Sequence, residues 1–149
     1  MDIRKRGDKS MSINELQNEI IEEFEMLDDW TDRYELIVEA AKGMKRKMPE
    51  SEKTNQNLID GCQSKVWFTA HMKEGRMQLN GDSDALLVKG IVALLLYVLD
   101  DHTPEEIANA DLYFIDRIGL REHLSPTRSN GITAMLKQIR LFALAYQAK

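Results

Sequence analysis

Residues 65–99 read KVWFTAHMKEGRMQLNGDSDALLVKGIVALLLYVL, and their apolar period changes from two to continuous within that span. Val66, Phe68, Ala70 and Met72 alternate with polar or larger neighbours, which places them on one face of a strand. Lys73-Glu74-Gly75 has the composition of a hairpin turn, after which Met77 and Leu79 alternate with Arg76, Gln78 and Asn80 in a second strand. Gly81-Asp82-Ser83-Asp84 reads as a turn and helix start. From Ala85 to Leu99 the residues are apolar on nearly every side, with Lys89 the only charge, so the helix they form is expected to be the central buried one. Within it, Gly90 is suited to a close backbone approach.

Working outward, the flanks are helical. Ser12-Ile13-Asn14-Glu15 is a capping box, and Ile13, Leu16, Ile20, Phe24 and Leu27 follow at helical spacing. Asp28-Asp29-Trp30-Thr31 breaks that helix. A second helix carries Tyr34, Ile37, Val38 and Ala41 on one stripe, is weakened at Gly43 and cannot pass Pro49. Residues 49–61 are polar and unpatterned and read as a loop with Cys62 at its end. Thr103-Pro104-Glu105-Glu106 starts a short helix, and Ser125-Pro126 starts the last one, whose stripe is Ile132, Leu136, Ile139, Phe142 and Tyr146. The expected fold is α+β: a small antiparallel β-sheet packed against several helices in one domain over residues 12–149, preceded by a disordered basic tail at 1–11.

The 149 residues carry a net charge of −5, 43% hydrophobic and 30% charged residues, and one cysteine. A chain of this length buries roughly 70% of its unfolded surface, enough for a core without disulfide or metal. The acidic balance argues against a nucleic-acid partner, since phosphate neutralisation needs a basic surplus. The longest apolar run, Gly90 to Leu99, falls short of the ~20 residues of a membrane span. A lone cysteine forms no internal disulfide, and the first thirty residues lack the apolar run of a signal peptide; a reducing, cytoplasmic setting is expected.

Free cysteines often only fill core space. Cys62 instead lies in a polar loop between Gly61, where backbone freedom permits a close approach, and the non-core residues Gln63 and Ser64. A metal site would have to recruit Cys62 with His71 and Asp84, although His71, His102 and His123 show no metal-ligand spacing. A cysteine hydrolase would need a histidine base beside Cys62, and no local signature supplies one. Redox sensing would favour a resolving cysteine, which the chain lacks. Asp82-Ser83-Asp84 holds two near carboxylates that a helix N-cap would equally use. Arg128 falls just inside the start of the last helix, where positive charge opposes the dipole; its position alone reads first as a surface arginine and second as the contact of an anionic partner.

Five segments follow one another along the chain: Asp29-Trp30 with Arg33-Tyr34; Asn57-Leu58-Ile59-Asp60-Gly61-Cys62-Gln63-Ser64-Lys65-Val66-Trp67; Asp82-Ser83-Asp84-Ala85 with Val88-Lys89-Gly90; Thr103-Pro104-Glu105-Glu106-Ile107; and Leu124-Ser125-Pro126-Thr127-Arg128-Ser129-Asn130-Gly131 with Ala134-Met135. In this order they resemble the SufE family of sulfur acceptors. The resemblance implies a fold like that of IscU-type iron–sulfur scaffold proteins. It also implies a PLP-dependent, SufS-like cysteine desulfurase as partner, which hands persulfide sulfur to Cys62 and is stimulated by doing so. The sulfur then goes to iron–sulfur cluster assembly, with an Fe–S scaffold complex as a further partner. On this resemblance the chain is a carrier with a covalent persulfide intermediate and no cofactor or metal of its own. Arg128 is expected to favour the thiolate or persulfide anion, Asp84 to hold Arg128 or the loop, and Gly61, Gln63 and Ser64 to support the loop. Two departures stand out: Gly43-Met44-Lys45-Arg46-Lys47-Met48-Pro49 is unusually basic, and Lys53-Thr54 replaces an expected acidic-then-Arg pair.

Overall fold

A computed structural model describes residues 11–44 and 46–148. Among these residues the chain forms helices α1 (Ile13–Glu25) and α2 (Trp30–Lys42), strands β1 (Val66–Lys73) and β2 (Arg76–Ser83), then α3 (Leu86–Leu99), α4 (Pro104–Ala108), α5 (Phe114–Arg117), α6 (Leu120–His123) and α7 (Pro126–Gln147). The α+β class is as expected. Residues 1–10 of the expected tail lie outside the described residues; Met11, its last residue, packs against the core.

The caps follow from local chemistry. Ser12 and Glu15 form a reciprocal capping box, as do Thr103 and Glu106. The break before α2 lies two residues earlier than expected: α1 ends at Glu25, short of Leu27, and the Asp29 side chain accepts from the Thr31 N–H, so Trp30 and Thr31 already belong to α2. Between the strands, Glu74 and Gly75 have φ of 54° and 79°, and Lys73 pairs with Arg76. Positive φ at both central residues is the type I′ pattern that matches strand twist.

The two strands pair antiparallel from Lys73↔Arg76 back to Val66↔Ser83. Strand β2 therefore runs three residues further than expected, through Gly81-Asp82-Ser83, despite their turn-forming character. Packing overrides propensity here. A Cβ on residue 81 would lie 2.8 Å from Val92 Cγ1 and 2.9 Å from Phe68 Cε1, so glycine lets the sheet close onto α3. The shared face of β1 also outruns the core: Val66 and Phe68 are buried, Ala70 is half-buried and Met72 is exposed. The loop before Cys62 is not featureless either. It contains short 3-10 turns at Glu50–Glu52 and Asn55–Asn57, and Leu58 bridges to Trp67.

Helix α3 lies at the centre, packed by α1, α2 and β2. Leu86, in its first turn, is its one exposed residue. Gly90 sits against α2, where a Cβ would stand 2.2 Å from the Ile37 carbonyl oxygen and 2.5 Å from Ile37 Cγ2. A Gly-to-Ala change in an open helix stabilises by about 1 kcal/mol. Here the sign reverses, because backbone cannot yield as a side chain does. Gly90→Ala is expected to destabilise by about 2 kcal/mol or more, the cost of overpacking a core, as a lower midpoint in urea unfolding. An unchanged or raised midpoint would refute the close packing of α2 on α3.

Candidate functional site

The loop that carries Cys62 is closed at its base and tied along its return limb. The Ile59 N–H donates to the Val66 carbonyl at 2.8 Å, and Ile59 is buried. On the far side, the Lys65 N–H donates to Asp84 Oδ1 (3.0 Å), the Asp84 N–H to the Lys65 carbonyl (3.2 Å), and Ser83 Oγ to the same carbonyl (2.8 Å). At the tip, Gly61 has φ +91°, in the left-handed region that favours glycine. These fastenings fold the tip onto α7. The Cys62 thiol donates to the Gly131 carbonyl at 3.7 Å, and a Cβ on Gly131 would stand 3.5 Å from Cys62 Sγ.

Cys62 is half-buried at the edge of a cleft of about 310 Å³, counted to its open mouth. Val88 and Ile91 of α3 with Ile132 and Met135 of α7 supply its apolar part, while Gln63, Ser64, Thr127 and Arg128 supply polar groups. Burial pushes the Cys62 thiol above its ordinary pKa. Removing the charged form from water disfavours it, so the resting site holds a protonated, sheltered thiol.

Arg128 thus reaches the same cleft as Cys62. It is exposed, its backbone N–H is capped by Ser125 Oγ at 3.3 Å, and its guanidinium makes no ion pair or hydrogen bond among the described residues. Asp84 binds the loop backbone at Lys65 and not Arg128. Gln63 and Ser64 line the cleft. The structure does not assemble Cys62, His71 and Asp84: His71 is exposed on β1 opposite Gln78, and no group of three His, Cys, Asp or Glu side chains able to hold a metal forms among the described residues. His102 is buried with its ring nitrogens facing the Met11 and Leu99 carbonyls. His123 stacks on Trp30 at 3.7 Å between ring centroids.

Sequence reasoning passed over two supports. Gly131 lies inside a long helix, where glycine costs about 1 kcal/mol, and its carbonyl and Cα face Cys62, to which a Cβ at this position would make ordinary contact. Asp82 is the other. It is 6% exposed, with Lys53 Nζ at 3.1 Å, Lys89 Nζ at 3.3 Å and the Ser83 N–H at 2.8 Å. Burial alone would raise its pKa, but Lys53, the Ser83 amide and Lys89 together hold the carboxyl below its usual range. The unusual basic segment is anchored as well, since Arg46 binds Gln78, the Leu79 carbonyl and Asp100.

The site is thus a lone thiol, half-sheltered by a tied loop, at a cleft that Arg128 also lines. Residues 18–143 match the SufE family, described as an Fe-S metabolism associated domain, and the chain belongs to that family. It is 37% identical over 128 residues to an uncharacterised SufE-like protein of Rhizobium meliloti (strain 1021), covering 83% of this chain and 91% of that one. It is 40% identical over 128 residues to another from Rhizobium etli, covering 83% and 86%. Among solved structures, the solution structure of a hypothetical protein from Thermus thermophilus superimposes with a TM-score of 0.74 at 22% identity, over 90% of this chain and 97% of that one, and shares the fold.

Because burial alone raises the thiol pKa, the thiolate fraction at neutral pH lies below that of an unfolded-chain cysteine. Iodoacetamide is expected to alkylate native Cys62 more slowly than urea-unfolded protein at neutral pH, with a pH midpoint shifted upward. A midpoint at or below the unfolded value would show that a cation, and not burial, sets this thiol.

Proposed function

We propose that Cys62 accepts sulfur from the persulfide of a PLP-dependent, SufS-like cysteine desulfurase and carries it toward iron–sulfur cluster assembly. The observation that carries this is the placement of the sole cysteine on a tied loop at the edge of an apolar cleft, in a chain of the SufE family. No helix of the described residues is long and apolar enough to cross a membrane, and we place the reaction in the cytoplasm.

The step balances without an external oxidant. Cys62 loses its proton, and its thiolate attacks the terminal sulfur of the desulfurase persulfide. The partner's S–S bond breaks, its cysteine leaves as a thiolate and takes up a proton, and a persulfide remains on Cys62. PLP belongs to the desulfurase; this chain contributes the acceptor, the shelter and the charge. A sulfane sulfur is open to stray thiols, and exchange needs an accessible thiolate with an in-line approach. The closed loop serves the first need and an opened one the second. Arg128, exposed at the cleft and without a pair among the described residues, is the cation we assign to stabilise the thiolate or persulfide once the loop moves. Asp84 sets the return limb of the loop through the Lys65 amide. Removal of product from the desulfurase accounts for stimulation of that enzyme.

Incubation with a cysteine desulfurase and free cysteine is expected to add whole sulfur atoms to the intact mass under non-reducing conditions, and to add none to Cys62→Ser. The absence of any gain in folded wild-type protein with several desulfurases would overturn the proposal. Arg128→Ala is expected to slow sulfur acceptance by about tenfold or more, the scale of losing a charged hydrogen-bond partner, with partial recovery in Arg128→Lys. An unchanged transfer rate would remove Arg128 from the chemistry.

A further inference from the structure

Asp82 joins three elements that surround Cys62 yet does not itself line its cleft. Lys53 lies on the arm that leads to the cysteine and contacts the carboxylate from one side. Lys89 lies on α3, next to Val88 of the cleft, and contacts it from the other. The carboxylate stands on β2, directly across from Trp67 of β1. Lys53 is held in turn by Glu50 Oε1 at 2.8 Å and lies over the Trp67 ring at 5.8 Å. Its ammonium is therefore stabilised on three sides, and its pKa is raised by Glu50 and Asp82. Beyond Lys53, the arm meets the sheet through backbone pairing at its far end, the Ile59 N–H to the Val66 carbonyl and the Leu58–Trp67 bridge, and through one long side-chain contact, Thr69 Oγ1 to Glu52 Oε1 at 3.5 Å; Asn57 Nδ2 donates to the Glu52 carbonyl within the arm at 2.7 Å. Lys53 is thus the side chain that ties the arm by charge to the sheet.

We infer that the Lys53–Asp82 ion pair is a latch that keeps the Cys62 loop seated on α7, and that its release is the step that exposes the thiol; the purpose of this latch, though not its existence, rests on Cys62 being the sulfur acceptor. Lys53 and Asp82 are positioning residues. They act through the arm and touch no reacting atom. Lys89 neutralises the second carboxylate oxygen, so loss of Lys53 leaves Asp82 with one cation and the fold with its hairpin and α3 still joined.

The test uses the isolated full chain and iodoacetamide, with intact mass as readout. Lys53→Met is expected to raise the rate of Cys62 alkylation by about fivefold or more, the scale of losing a partly buried ion pair, and Lys53→Arg to return it to the wild-type rate. Asp82→Asn should match Lys53→Met if it folds. Arg46→Ala, which frees the basic segment on the other edge of β2, is the control. It is expected to lower the unfolding midpoint without changing alkylation. Equal alkylation of wild type and Lys53→Met would overturn the latch, as would acceleration by Arg46→Ala to the same degree, which would mean that global loosening exposes the thiol. No desulfurase takes part, so a failure here is separate from failure of sulfur transfer. A latch confirmed in a protein that gains no sulfur from any desulfurase would leave the control of Cys62 in place and its chemistry to be reassigned.

Discussion

Helix α3 is apolar on nearly every side because it has neighbours on nearly every side: α1, α2 and β2 pack on it, and its first turns help line the cleft at Cys62. Each fully buried aliphatic side chain contributes about 1.5–3 kcal/mol, and α3 buries Val92, Leu94, Leu95 and Val98 to zero exposure. That density is reached only because two neighbours approach at glycines, Ile37 of α2 at Gly90 and Phe68 of β1 at Gly81. The same helix carries Val88 and Ile91 to one wall of the cleft and Lys89 to Asp82. Core and site are therefore built on one element, and a shift of α3 moves the surface on which the cysteine rests.

Around this helix the polar groups do the placing. A hairpin of two strands is marginal by itself, and here its outer edges are occupied by other parts of the chain. The Met77 N–H donates to the His102 carbonyl, Leu79 is bonded by Asp100 and Arg46, and the Ala70 carbonyl accepts from Tyr146 of α7. On the β1 edge nearest the cysteine, the Ile59 N–H takes the Val66 carbonyl. Occupied edges protect against pairing with another chain. They also make the loop at residues 60–65 a short excursion between two fixed points, which is what allows a flexible Gly-Cys turn to hold a defined position.

Much of this is legible from residue pattern. The capping boxes, the hairpin, the buried helix and the start of α7 follow from local chemistry that tertiary contacts leave in force. Gly81-Asp82-Ser83 misleads because each residue favours turns, while its strand conformation is imposed from outside: glycine by Phe68 and Val92, aspartate by two lysines, serine by the Lys65 carbonyl. Lys53 looks like a departure in a polar loop, since nothing in the order of residues says that it meets a carboxylate twenty-nine positions later. Cys62 stands out by its setting, Arg128 by its unfavourable place at a helix start. Their sharing of one cleft is a tertiary fact that the family resemblance anticipates and no spacing rule could.

The thiol's burial poses the central chemical difficulty for a carrier. A cysteine whose pKa is raised by desolvation is a poor nucleophile at neutral pH, and the neighbouring arginine does not relieve this in the closed state, since burial is the cause of the shift. A permanently activated thiolate would react with whatever oxidant or thiol it met. A half-buried thiol at a cleft shared with an arginine that makes no pair among the described residues separates the two states in space. Little movement is needed, because the bond to the Gly131 carbonyl is a long contact to sulfur at 3.7 Å and the groups packed against the tip are the small residues Gly131 and Ala134. Sulfur offers only a weak hydrogen bond, so the tip's own contacts add little to its seating. On the sulfur-acceptor assignment, reactivity then becomes a property of the complex, and the resting chain spends its time in the state that wastes no sulfur.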